Sequence, residues 1–78
     1  MKHEKIIVRW KDSWGVNPDW ESVEDALNHD YCDIETSGYL LKENESRIII
    51  AQSVDDTTGM VCGVIVIPIE CVLERIRG

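Results

Sequence analysis

From Met60 the chain runs Met-Val-Cys-Gly-Val-Ile-Val-Ile without a charged side chain and then meets Pro68. The run is far shorter than the roughly 20 apolar residues of a bilayer-spanning helix. Its β-branched side chains favour an extended backbone. An unbroken apolar run of this length reads as a strand covered on both faces, or as a strand at an interface. It is the segment expected to be most deeply buried. Pro68, with no N–H to give a ladder, ends it. Gly63 marks the place for a bulge or sharp bend, of the kind that lets one strand curl across a small barrel. A chain with this segment must fold around a β-core of Val and Ile.

The remaining elements follow from their own periodicities. Residues 5–11 alternate, with Ile6, Val8 and Trp10 on one side and Lys5, Ile7, Arg9 and Lys11 on the other, which is the period of a half-buried strand. Asn17 followed by Pro18 is an N-cap and first-turn signal. A helix is expected from there to about His29, its stripe formed by Trp20, Val23, Ala26 and Leu27 and its positive end met by Asp19 and Glu21. On that reading Trp20 packs the helix onto the sheet, and Tyr31 and Cys32 cover the edge of the core. Residues 37–41 and 47–53, joined by a polar stretch, form a hairpin. A turn through Asp55, Asp56, Thr57, Thr58 and Gly59 leads into the apolar run. After Pro68, residues 69–71 suit one tight helical turn. Residues 72–77 suit a final strand that pairs with the first, in preference to a short helix.

With 78 residues the chain can build one core, so residues 1–78 are expected to be a single domain. Arg9 and Lys11 interrupt the apolar start before any signal-peptide core forms. A soluble, cytoplasmic protein is expected. Cys32, Cys62 and Cys71 are odd in number and lack a C-x-x-C spacing, so reduced thiols are expected, with Cys62 and Cys71 as packing residues. The formal net charge is −7, and its distribution is uneven. Between Asp12 and Leu41 there are eight acids and no Lys or Arg, while all eight basic residues lie outside that stretch.

The segments Gly38-Tyr39-Leu40-Leu41, Ile49-Ile50-Ala51-Gln52-Ser53, Gly63-Val64-Ile65-Val66-Ile67-Pro68 and Ile76-Arg77 resemble those of short uncharacterised bacteriophage and prophage proteins. The element order resembles the SH3-like small β-barrel, with its turn of 3₁₀-helix before the last strand. The resemblance implies a mainly β fold, a barrel of about five strands with one short helix between strands 1 and 2. It also implies a phage-type origin, hence the host cytoplasm, and no assigned activity. Ile76-Arg77-Gly78 spells a tripeptide of Sm-like RNA-binding barrels, but the acidic-plus-Asn motif of that family does not follow Gly38, and the tripeptide is taken as coincidence.

Candidate chemistry is sparse. Cys32 with His29 and Asp30 or Asp33 supplies the residue types of a thiol nucleophile, without an oxyanion-hole signature. The Cys and His residues have no paired metal-ligand spacing, and the Asp55 to Gly59 turn is explained by Asx-turn bonding. No enzyme activity, cofactor or metal is therefore expected. The leading expectation is a non-enzymatic protein-binding or accessory module whose interaction residues are Trp14, Trp20, Glu21, Glu24 and Asp25, since aromatic residues carry much of the energy of protein interfaces. Self-association is expected from the apolar run. The alternative is nucleic-acid binding by a basic edge of Arg9, Lys11, Arg75 and Arg77, which pairing of the first and last strands would assemble against an unfavourable net charge. No membrane partner is expected.

Overall fold

The computed structural model describes residues 3–13 and 18–78. Strand β1 (Lys5–Asp12) is followed by helix α1 (Val23–Leu27), strands β2 (Cys32–Glu43), β3 (Arg47–Val54) and β4 (Val61–Pro68), a 3₁₀ turn (Ile69–Cys71) and strand β5 (Val72–Arg77). The five strands form one antiparallel sheet in the order β4-β3-β2-β1-β5. The alternation of β1 is realised as read, with Ile6, Val8 and Trp10 buried while Lys5, Arg9 and Lys11 face solvent. Trp10 satisfies its indole by donating from Nε1 to Thr36 Oγ1 at 3.0 Å, as a buried Trp N–H requires. Residues 72–77 form the strand that pairs with β1, after the expected tight turn.

Local chemistry sets both hairpin turns. Between β2 and β3 the Asn44 side chain accepts from the backbone N–H groups of Ser46 and Arg47. Between β3 and β4 the Asp55 carboxylate accepts from Thr57 N–H and Thr58 Oγ1–H, and Gly59 takes the left-handed φ of 76° that closes the turn.

The core consists of Ile6, Val8, Trp10, Ile48, Ile50 and Ile67, with Ile34, Leu40, Ile65, Ile69, Cys71 and Val72 packed against it. Gly38 lets β2 approach β3 closely: a Cβ there would lie 2.5 Å from Ala51 O and 2.6 Å from Ile50 Cγ2. The sheet is open, and β4 and β5 are its two unpaired edges rather than neighbours in a closed barrel.

Strand β4 corrects a sequence expectation. It is not the most buried segment: Ile67 is buried and Ile65 half-buried, whereas Val61, Cys62, Val64 and Val66 are exposed. Only Ile65 and Ile67, toward the Pro68 end, reach the core; Val61, of the same parity, is exposed at the other end, and Cys62, Val64 and Val66 have no second layer above them on this edge strand. Cys62 is consequently an exposed thiol rather than a packing residue, while Cys71 is half-buried against the core. Gly63 has the left-handed φ of 67° that suits glycine, yet the β3–β4 register runs through it without a shift, so no bulge forms there.

The helical region also departs from expectation. Pairing of β1 with β2 ends at Asp12 opposite Cys32, and residues 18–31 take no part in the sheet. Helix α1 has five residues and is N-capped by Ser22, whose Oγ accepts from Asp25 N–H at 3.0 Å. The cap expected at Asn17 lies outside the described residues. No residue of α1 is buried, Trp20 is fully exposed, and Tyr31 is exposed as well. Trp20 therefore does not pack a helix onto the sheet, and Tyr31 does not cover the core. The helix is little more than one turn long, with Val23, Ala26 and Leu27 as its apolar residues, and Trp20 precedes its first turn, so the segment has too little apolar face to bring it down onto the strands. The molecule measures 53 × 22 × 20 Å with a Cα radius of gyration of 16.1 Å, against roughly 11–12 Å for a compact chain of this length.

Candidate protein-docking surface

The segment 18–31 forms a tip that stands clear of the sheet. Trp20, Val23 and Leu27 recur at intervals of three and four and are all exposed. Around them lie Asp19, Glu21, Glu24, Asp25 and Asp30, with no Lys or Arg in the segment. The tip has internal order: His29 Nε2 meets both carboxylate oxygens of Glu21 at 3.0 Å, tying residues before and after α1 together. At its root the Lys11 ammonium lies 5.9 Å from the centre of the Tyr31 ring, within reach of a cation–π attraction. Of the expected interaction residues, Trp20, Glu21, Glu24 and Asp25 are brought together here, and Trp14 lies outside the described residues. His29 is turned to Glu21, and among the described residues no group of three His, Cys, Asp or Glu side chains could hold a metal ion.

The four cations of the expected basic edge are not brought together. Across β1 and β5 the register sets Val8 opposite Arg75 and Ile6 opposite Arg77, so these arginines share the side of β1 that carries the core. Arg9 and Lys11 lie on the other side. Arg75 and Arg77 are also committed to carboxylates: Arg75 Nε lies 2.7 Å from Glu43 Oε2, Arg77 Nη1 lies 2.6 Å from Glu4 Oε1, and Arg77 Nη2 bonds Glu43 Oε1. The Arg77 hydrogen bond, helped by the charges of both arginines, holds the Glu43 carboxyl below its ordinary range. Hydrogen bonds to Glu43 and Glu4 raise the pKa of Arg77 in turn. This network ties β5 to the far end of β2.

A groove of about 550 Å³ opens at the opposite end of the sheet from the tip, where Lys5 pairs with Tyr39. Its lining includes Lys5, Ile7, Ser37, Tyr39, Gln52 and Ile76. Sequence reasoning missed it. The available signal was Ile7, an apolar residue on the polar side of β1, and Ile76; the register sets the two directly opposite.

Among the described residues no helix is long and apolar enough to cross a membrane. Comparison with protein families, with curated proteins and with solved structures finds no match to this chain.

Proposed function

We propose that the protein is a non-enzymatic binding module that engages a protein partner through the acidic, apolar tip. The observation that carries this reading is the full exposure of Trp20 within one short segment that also exposes Val23 and Leu27, a segment held in shape by the Ser22 cap and the Glu21–His29 contact. Large apolar side chains presented together and rimmed by charge mark interaction sites, and Trp is among the residues that most often dominate their energy. The strand order, with a 3₁₀ turn before the last strand, supports kinship with SH3-like small barrels. The resemblance of the strand motifs supports a phage-type accessory role.

The test is affinity capture from bacterial lysate with the wild-type chain and with a Trp20→Ala, Leu27→Ala variant whose circular dichroism matches it. Proteins retained by the wild type and lost by the variant are expected. An identical set retained by both, with no change in self-association in the variant, overturns the reading.

A further inference from the structure

We infer that the partner of the tip is the groove of a second copy, so that two chains dock reciprocally, each inserting its Trp20 segment beside Lys5, Ile7, Tyr39 and Ile76 of the other. The inference rests on the tip being a docking element and goes further by naming what it docks to.

Three observations support a second copy. The surfaces are chemically matched: the tip offers Trp20, Val23 and Leu27 among acids without a Lys or Arg. The groove offers Ile7, Tyr39 and Ile76, and Lys5 is the one charged side chain among its described lining residues. The two surfaces are also far apart in one chain. The tip is rooted at Asp12 and Cys32, the groove lies at Lys5 and Tyr39, and seven residues of strand separate them, roughly 23 Å. The tip leaves the sheet at the end away from its own groove, whereas a two-fold axis brings each tip to the other chain's groove and forms both contacts at once. Finally, a two-fold arrangement halves the area that each contact has to supply. A stable interface buries roughly 1,200–2,000 Å² in total, so each tip–groove contact must supply only about half of that.

Sedimentation velocity over a micromolar dilution series tests the inference with three proteins: the wild type, Trp20→Ala, and Ile76→Glu, which sets an acid against the acidic tip. Ile76 is partly exposed, and Lys5→Glu serves as the groove variant if Ile76→Glu does not fold. The wild type is expected to dimerise. Each variant alone is expected to dimerise on the order of 100-fold more weakly, as for loss of a central anchor present twice per dimer. An equimolar mixture of tip and groove variants is expected to associate more tightly than either alone, because one intact tip–groove contact survives in the heterodimer. A wild type that stays monomeric, a dimer that both variants leave unchanged, or a mixture no tighter than its components overturns the inference. A monomeric wild type that still captures lysate proteins through Trp20 would leave the docking reading standing and remove only the second copy. If Trp20→Ala changes neither capture nor mass, both fail.

Discussion

Trp10 and Trp20 are the same residue in opposite situations, and replacing each by Ala measures the difference. Trp10 is 8% exposed and lies among Ile6, Val8, Ile48, Ile50 and Ile67. Truncating such a ring removes its burial, leaves a cavity and deprives Thr36 of its indole donor, together worth about 3–5 kcal/mol. A 78-residue domain has a total stability of only about 4–12 kcal/mol. Its unfolding entropy makes each kcal/mol worth roughly 6 °C in Tm. Trp10→Ala is therefore expected to melt about 18–30 °C lower or not to fold, and Trp10→Phe, which keeps a ring but loses the hydrogen bond, to lose about 1–2 kcal/mol. Trp20 is 101% exposed, so its removal takes nothing from the folded chain, and a change within about 0.5 kcal/mol is expected. Urea denaturation at the lowest workable concentration, where self-association adds no apparent stability, supplies the numbers. A loss above about 1.5 kcal/mol for Trp20→Ala would mean that the ring is packed against its own chain, and would refute the reasoning from exposure.

Gly38→Ala places a methyl group 2.5 Å from a backbone oxygen of β3, and thermal melting is expected to show a loss of about 1–3 kcal/mol as the strands move apart. Because the Glu43 pKa is lowered in the folded state, chiefly by the Arg77 hydrogen bond, its contribution is present above its ordinary value near 4.5 and is lost as pH falls through the lowered one. Glu43→Gln should therefore flatten the acid limb of a stability–pH curve by less than about 1 kcal/mol, since solvent screens the pair; an unchanged limb contradicts the network. In thiol titration of the native protein, Cys62 is expected to react first, with half-buried Cys32 and Cys71 slower; fast reaction of Cys71 would contradict its packing against the core.

The strands were legible because a two-residue period and proline punctuation are local properties. Residues 5–11, the hairpin arms at 37–41 and 47–53, the Pro68 stop, the tight turn and the final strand can all be read without knowing what packs on what, whereas the extension of β2 back to Cys32 cannot. The failures concern neighbours. The apolar character of residues 61–67 reports an affinity for burial, but not that β4 lies at a sheet edge with one face uncovered. Asn17-Pro18 is a sound capping signal in isolation, yet α1 starts at Val23 behind Ser22, whose hydroxyl oxygen accepts from Asp25 N–H. Adjacency of β1 and β5, without their register, places Arg75 and Arg77 with Arg9 and Lys11. One residue of register decides which side of the sheet a charge occupies, and only pairing of Val8 with Arg75 reveals it. The candidate site divided in the same way. Trp20 and its acids were visible as a cluster in sequence, whereas the groove joins residues from β1, β2, β3 and β5.

That the acidic tip stands off the sheet, where a partner can take it, is open to one direct measurement. Small-angle X-ray scattering of Trp20→Ala, extrapolated to infinite dilution so that association does not contribute, reports the radius of gyration of the single chain. A value at or slightly above the 16.1 Å of the Cα trace is expected for a projecting tip. A value near the roughly 11–12 Å of a compact chain of this length would mean that the tip folds back onto its own sheet, and would contradict the projecting tip on which both proposals stand.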